Sequence, residues 1–203
     1  MARFPKLKRV RYDDVRPEIR NGDILLASGQ YAFSKLIQHA TDSVWSHAGF
    51  ILRIDAIDRV MLLESVEGKG VRAVSLREYA CNFEGSGQGY SGRMAIARHK
   101  LFSAPLVTPE ALCAMSQFAV DRLSYPYDEE EIGRIALRIV GGALGVPKRE
   151  LVRDNEFICS EYVYECFRLL GIEIAHDARG FVSPGDIARD PNVELLWEVR
   201  THD

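Results

Sequence analysis

The sequence predicts an α+β fold in which helices surround a mostly antiparallel sheet. Two observations lead to this prediction. The runs "WSHAGFILRI" and "VMLLESV" are rich in strand-forming residues, and only "DAIDR" separates them, which favours an antiparallel pair of strands. In "YAFSKLIQHA", by contrast, the apolar residues Phe33, Leu36, Ile37 and Ala40 follow helical spacing.

Turn and cap residues predict the remaining elements. "NGDILLAS", "RMAIARHK" and "VELLWEVR" each predict a strand. A short helix is expected in "SLREYA", where Ser75 and Glu78 have the spacing of a capping box. A longer helix is expected to begin after Thr108, since Pro109 follows at the first helical position. "SPGDIARD" predicts one further helical turn.

The glycine-rich run "GSGQGYSG" contains the pattern GxGxxG at Gly87, Gly89 and Gly92. A dinucleotide site would need a strand before this pattern and a helix after it. Here a predicted short helix precedes the run and a strand-like segment follows it. We therefore interpret the run as a flexible loop.

Length and composition narrow the class of protein. A chain of 203 residues favours a single domain spanning 1–203, and a net charge of −3 provides no field that would attract nucleic acid. We find neither a secretory signal nor a membrane span. The four cysteines are too few for a disulfide framework and lack the CxxC spacing of a zinc site. We expect reduced thiols and a cytoplasmic location, although an effector delivered without a classical signal would look the same.

The first twenty residues, 1–20, form a locally basic segment. They contain seven lysine and arginine residues against three acidic ones. We expect a solvated, partly ordered arm. Peripheral contact with an anionic membrane surface is the alternative.

The stretch "DNEFICSEYVYECFRLLG" carries two of the cysteines on one predicted helix. Its apolar stripe consists of Cys159, Tyr162, Val163, Cys166 and Leu170. Cys166 lies in the middle of this stripe and is expected to be a core residue. Cys159 falls in the first turn, where free backbone N–H groups and the helix dipole lower a thiol pKa and can hold an oxyanion. Position alone leaves a nucleophile and a second core cysteine about equally supported.

A nucleophilic cysteine needs an imidazole and an acceptor that orients it. His47 stands at the head of an apolar strand, where packing does not call for a titratable ring, although a structural histidine is the alternative. His176, in the loop after the cysteine helix, is the second candidate. Glu64 is a lone carboxylate inside the neighbouring apolar strand, where burial without a partner would be costly. Glu67 borders a turn and is expected to be solvated.

Several motifs together resemble a known family. "GDILL", "SKLIQHATDSVWSHAGFIL", "LLES", "YPYD", "FICSEYVYECFRLLGIEI" and "SPGDIA" extend over residues 22–188. They resemble the circularly permuted NlpC-type papain-like family, in its YiiX-like branch. The resemblance implies a permuted papain-like (NlpC-type) α+β fold in which the histidine strand precedes the cysteine helix, and this helix packs against the sheet. It also implies Cys159 as nucleophile, His47 as general base and Glu64 as the orienting third residue.

The function implied is that of a papain-like cysteine peptidase or amidase. Such an enzyme cleaves an amide bond, in a peptide, isopeptide or N-acyl group, through a thioester acyl-enzyme, and no metal or organic cofactor is required. The expected substrate is peptide-like or an acyl-amide. We expect the substrate cleft to include Trp45, Ser46, Tyr127, Asp128 and Ser160.

The chain departs from the family pattern in two respects. Members are often exported, whereas this sequence shows no signal. The segment between Asp128 and Cys159 is also longer than expected, and we interpret residues 129–153 as an inserted amphipathic segment. An extra packed surface helix is the favoured interpretation, and a cleft wall or an acyl-chain site is the alternative.

Two other functions stay open from the sequence. A lipid-directed thiol acyltransferase or phospholipase of the lecithin retinol acyltransferase type would use the same three residues, and the basic arm and inserted segment would suit a membrane surface. A catalytically inactive binding scaffold is the third. It is less favoured, because cysteine, histidine and a strand carboxylate are all present.

Overall fold

A computed structural model describes residues 3–103, 105–127, 158–176 and 182–201 of the chain. The strands are β1 (Arg9–Val10), β2 (Asp23–Ser28), β3 (His47–Ile54), β4 (Arg59–Val66), β5 (Gly70–Ser75), β6 (Arg93–His99) and β7 (Val193–Val199). The helices are α1 (Tyr12–Val15), α2 (Ala32–Ala40), α3 (Leu76–Cys81), α4 (Pro109–Asp121), α5 (Cys159–Arg168) and α6 (Pro184–Arg189). Asp128 and the predicted inserted segment 129–153 lie outside the described residues.

The described strands form one sheet in the order β1-β7-β6-β2-β3-β4-β5. Every neighbouring pair is antiparallel except β1 and β7, which are parallel. The predicted α+β class with a mostly antiparallel sheet is therefore confirmed. The pairing of β3 with β4 was predicted, whereas β1 and β5 were not.

The sheet separates two apolar layers, because residues alternate between the faces of a strand. On one face, Ile24 and Leu26 of β2 pack in a cluster with residues of α5. On the other face, Leu25 and Ala27 of the same strand pack with residues of α1 and α3. Helix α5 thus lies against one side of β3 and β4, while α3 covers the other side.

The basic N-terminal segment is not the solvated arm that was predicted. Its strand β1 pairs with β7, and Tyr12, Val15 and Ile19 are buried against the sheet. Arg16 forms an ion pair with Asp58 on the surface. The prediction was wrong because it weighed the charges of the segment and overlooked the apolar residues placed between them.

Cap residues were predicted for two helices, and the structure confirms one of them. Thr108 accepts a hydrogen bond from the Ala111 N–H at the start of α4, as predicted. Ser183 and Asp186 form a reciprocal capping box at the start of α6. At α3 the Ser75 side chain makes no cap hydrogen bond. Ser75 is also the last residue of β5, so the predicted capping box is wrong although the helix is present.

Two further predictions concern loops and membrane spans. Gly87, Gly89 and Gly92 lie in an irregular segment between a short 3-10 turn, Phe83–Gly85, and β6, so the interpretation as a loop is confirmed. Among the helices that the structure describes, none combines the length and the apolar character that crossing a membrane would require.

Candidate active site

Cys159 is the first residue of α5, at the point where the backbone N–H groups have no partners within the helix. The N-cap residue, Ile158, offers no side-chain acceptor for them. The backbone N–H groups of Ser160 and of Ala48, on the neighbouring β3, instead donate to the Cys159 sulfur. The end of the helix therefore presents hydrogen-bond donors directly to the thiol.

His47 lies between this thiol and a buried carboxylate. It is the first residue of β3, and its ring is hydrogen-bonded to Cys159. Its Nε2 atom lies 2.6 Å from Oε2 of Glu64. Since Nε2 is engaged by Glu64, the other ring nitrogen, Nδ1, is the one left for the thiol. The ring keeps 19% of its surface exposed, so this central residue still borders solvent.

Glu64, on β4, is fully buried and is bound on both carboxylate oxygens. Arg72 is its direct partner across the β4–β5 ladder and donates from Nε to Oε1 at 2.9 Å. The Tyr79 hydroxyl, from α3, donates to Oε2 at 2.6 Å. Glu64 shares a strand face with Leu62, the face that α3 covers, which explains how Tyr79 reaches it.

The electrostatics favour a thiolate–imidazolium pair. Burial alone raises the pKa of the Cys159 thiol, but the His47 charge and the two backbone N–H groups bring that pKa below its ordinary value. Burial alone lowers the pKa of His47, yet Cys159 and Glu64 raise it to about 10. Each partner therefore stabilises the charged form of the other.

The carboxylate is held in its charged form by its neighbours. Burial raises the pKa of Glu64, but His47, Arg72 and Tyr79 outweigh that effect and leave the pKa lowered. Burial and the Glu64 charge raise the pKa of Tyr79, so its hydroxyl stays a donor. Because an ionised carboxylate can only accept hydrogen bonds, the hydrogen between Glu64 and His47 belongs to Nε2.

Three of the residues predicted to line the cleft are buried beside this cluster. Trp45 packs edge-on against Phe4, with ring centroids 4.8 Å apart. The Ser46 hydroxyl accepts from the Gly29 N–H at 2.9 Å, and the Ser160 hydroxyl donates to the Val182 carbonyl at 2.7 Å. These side chains fix the loops around Cys159 and His47, and their contact with substrate stays a prediction.

The remaining candidates lie elsewhere or outside the described residues. Tyr127 is largely buried and is the last described residue before the segment that contains Asp128. His176 contacts the Ile174 carbonyl oxygen through Nδ1 at 3.1 Å and packs against the Tyr164 ring. It is thus His47, and not the second candidate, that meets the thiol. Glu67 is exposed, as predicted.

Arg72 and Tyr79 are the two residues of this cluster that sequence reasoning missed. Arg72 interrupts the apolar run "GVRAVS", and a charged residue within such a run was a signal for a buried partner. Tyr79 carried no comparable signal, because its contact with Glu64 depends on how α3 packs over the sheet.

Comparison with known proteins places the chain in a family. The family model described as "permuted papain-like amidase enzyme, YaeF/YiiX, C92 family" matches residues 18–179. The chain belongs to this family. The resemblance inferred from the motifs is therefore confirmed, and this permuted papain-like amidase is an enzyme of the cysteine hydrolase type.

A solved structure has the same fold as this permuted papain-like amidase. YiiX from Escherichia coli O157:H7 superimposes with a TM-score of 0.62 at 18% identity, over 89% of this chain and 98% of YiiX. At that identity the likeness establishes the fold alone. No curated protein matches the chain.

YiiX, whose crystal structure is known, is described as a metalloprotein. Within residues 3–103, 105–127, 158–176 and 182–201 of this permuted papain-like amidase, no group of three or more His, Cys, Asp or Glu side chains is arranged to hold a metal ion. The Glu64 oxygens already bind His47, Arg72 and Tyr79. The described residues therefore do not fit a metal site.

Proposed function

We propose that the protein is a cysteine hydrolase that cleaves an amide bond through a thioester acyl-enzyme, with Cys159 as nucleophile, His47 as acid and base, and Glu64 as the residue that orients His47. The observation that carries this proposal is the chain of contacts in which His47 is hydrogen-bonded to Cys159 on one side and to Glu64, at 2.6 Å, on the other. Nucleophile, base and orienting group are the parts that such catalysis needs.

The first half of the reaction forms the acyl-enzyme. The Cys159 thiolate attacks the amide carbonyl carbon, and the carbonyl oxygen becomes an oxyanion. Backbone N–H groups at the start of α5 hold that oxyanion, where each donor typically contributes about 3 kcal/mol. The proton on Nδ1 of His47 passes to the leaving nitrogen, the C–N bond breaks, and a thioester remains on Cys159.

The second half of the reaction hydrolyses the thioester and releases the carboxylic acid product. Neutral His47 removes a proton from a water molecule, which attacks the thioester carbonyl. The C–S bond breaks and Cys159 leaves as a thiolate beside the imidazolium of His47. General acid–base help of this kind contributes about 10²- to 10⁴-fold to the rate. Glu64 accepts from Nε2 throughout and thereby keeps Nδ1 directed at the reacting groups.

An amide substrate, either peptide-like or an acyl-amide, is the class we propose. The family is one of amidases, and a histidine that can protonate a poor amine leaving group suits that class. The described residues offer no observation that favours the lipid-directed alternative. The basic segment that might have met a membrane packs its apolar residues Tyr12, Val15 and Ile19 into the protein.

The test measures activation of the thiol and needs no substrate. Alkylation of each cysteine by iodoacetamide is followed by mass spectrometry from about pH 5 to pH 9, a window that brackets the ordinary thiol pKa of about 8.5. We expect the alkylation of Cys159 to begin at a lower pH than that of an ordinary thiol, since its pKa is lowered, and to lose this advantage in His47→Ala. The exposed Cys81 and Cys113 are internal references in the same sample.

Two outcomes would contradict the proposal. Alkylation of the buried Cys159 that is no faster than that of Cys81 and Cys113 at every pH, with the same pH dependence, would show that no activated pair exists. Alternatively, Cys159 in folded His47→Ala could keep its reactivity at low pH, so that the histidine is not its partner. The inactive scaffold would then become the better description of the chain.

A further inference from the structure

We propose that Arg72 and Tyr79 are positioning residues that hold Glu64 as an anion in one orientation and thereby select the His47 tautomer that can activate Cys159. This inference rests on the proposed function and extends it to two residues that do not touch the thiol. The observation behind it is that Glu64 is shared among three donors, each from a different element of the fold.

The two carboxylate oxygens have different partners. Oε1 receives Arg72, whose Nε and terminal nitrogen both lie 2.9 Å away. Oε2 receives the Tyr79 hydroxyl and Nε2 of His47, both at 2.6 Å. With both oxygens engaged, the carboxylate has no free rotation about its terminal bond. The direction of its remaining acceptor site toward His47 is therefore determined by Arg72 and Tyr79.

The charge of Arg72 balances a carboxylate that has no exposed surface. A buried carboxyl group with no cationic partner would take up a proton, because burial disfavours the charged form. Within the described residues, the other titratable groups around Glu64 are His47 on β3, with Cys159 on its far side, and Tyr90 within the glycine-rich loop. Arg72 itself also lies 4.0 Å from the exposed Glu84. Arg72 is the permanently charged cation among the groups that contact Glu64.

Neighbouring residues fix the positions of both Arg72 and Tyr79. Arg72 lies in β5, which begins at Gly70 with φ of +71°, and a side chain there would collide with the Tyr125 carbonyl oxygen. That same carbonyl oxygen accepts from the Val71 N–H at 2.8 Å. Tyr79 packs against the rings of Phe83 and Tyr90, at centroid distances of 4.9 and 5.6 Å.

The state of Glu64 decides which nitrogen of His47 can accept a proton from the thiol. An ionised Glu64 accepts from Nε2–H, which leaves Nδ1 of neutral His47 with a lone pair directed at Cys159. A protonated Glu64 would instead donate to Nε2, and neutral His47 would then carry its hydrogen on Nδ1. In that tautomer the ring cannot accept the Cys159 proton, so the thiol stays protonated at neutral pH.

The experiment compares the pH profile of Cys159 alkylation between variants. The acid limb of this profile is the range in which the alkylation rate rises with pH. In Arg72→Met we expect it to move to higher pH by about one unit or more, which is the effect that one nearby opposite charge has on a pKa. Arg72→Lys keeps the positive charge and should therefore stay close to the wild-type profile. Tyr79→Phe should show a smaller shift than Arg72→Met, in the same direction. An acid limb in folded Arg72→Met that is unchanged, or that moves to lower pH, overturns the proposal.

Two matched controls separate this effect from a general loss of stability. Arg77→Met removes an arginine that pairs with Asp13 on the surface, and Tyr90→Phe alters the neighbouring tyrosine of the aromatic cluster. Both should retain the wild-type profile. A shift of equal size in either control would overturn the assignment to Arg72 and Tyr79.

A double variant tests the route through Glu64 and covers the case in which Arg72→Met alone fails to fold. Glu64→Gln/Arg72→Met removes both charges together, so no unpaired charge is buried. We expect its acid limb to match that of Glu64→Gln, because Arg72 acts on His47 through the Glu64 charge, while its other ionic partner, Glu84 at 4.0 Å, is exposed and lies outside this route. A further shift in the double variant overturns the inference. Absence of activated Cys159 in the wild-type protein would instead contradict the proposed function, so the two failures are distinguishable.

Discussion

Cys159 and Cys166 lie two turns apart on α5, and both are buried. Burial, with a smaller contribution from the Glu165 charge, raises the pKa of Cys166, which lies in the apolar core. At Cys159 the same burial is outweighed by His47 and by two backbone N–H groups, so the pKa is lowered. Burial alone therefore does not decide the pKa of a thiol in this helix. The difference lies in the helix end, where Cys159 meets backbone N–H donors and the His47 imidazole.

The largest expected difference between the two cysteines is in turnover. Cys159→Ala should reduce amide hydrolysis to background, a loss of at least about 10³-fold, because no nucleophile remains. Cys166→Ala should retain kcat per folded molecule. Hydrolysis of acyl-amide substrates by both purified variants, with the folded fraction measured by circular dichroism, checks this. Retained turnover in Cys159→Ala would show that Cys159 is not the nucleophile.

An effect of intermediate size is expected at Glu64, which acts on Cys159, but not on Cys166, by way of His47. Glu64→Gln removes the charge that supports the imidazolium but preserves the size of the side chain. We expect kcat/KM to fall by about 10- to 100-fold, the loss typical when a partner that orients a metal-binding histidine is removed. Steady-state kinetics would measure it, with Glu67→Gln as the matched control, since Glu67 is exposed on the same strand–turn segment. Equal losses in both variants would contradict a special contribution of Glu64.

The smallest effect on chemistry is expected at Cys166, where a change should affect stability instead. Cys166→Ser places a hydroxyl in a fully buried apolar site, where an unsatisfied polar group costs about 1–3 kcal/mol. The midpoint of urea unfolding should fall accordingly, while alkylation of Cys159 keeps its pH profile. Cys113→Ser, at an exposed position, is the control and should leave the midpoint unchanged. An altered Cys159 profile in Cys166→Ser would mean that the two ends of α5 are coupled.

Some of this arrangement was predictable because its signals are local in the chain. The β3–β4 pair followed from two strand-forming runs and the short turn between them. The start of α4 followed from Thr108, and the place of Cys159 at a helix start followed from the apolar stripe behind it. Turns, caps and periodicity involve residues within a few positions of one another, so they can be seen without knowing the fold.

The N-terminal segment shows why other features escaped prediction. Its charges suggested solvation, and only its pairing with β7, nearly two hundred residues later, makes a buried face for Tyr12 and Ile19. Strand β5 is a similar case, because its partner β4 gives Arg72 a carboxylate opposite. In both cases the energetic reason for the local structure lies in a distant part of the chain.

The sequence by itself determined the α+β class, the family resemblance, and the three residue types from which a nucleophile, a base and an acceptor could be chosen. Tertiary structure alone decided that His47, and not His176, meets Cys159, and that Arg72 and Tyr79 hold Glu64. The physical reason is that a thiolate–imidazolium pair and a buried carboxylate depend on distances of about 3 Å between atoms far apart in the chain. Strand register and helix packing set those distances, and neither can be obtained from the local pattern of residues.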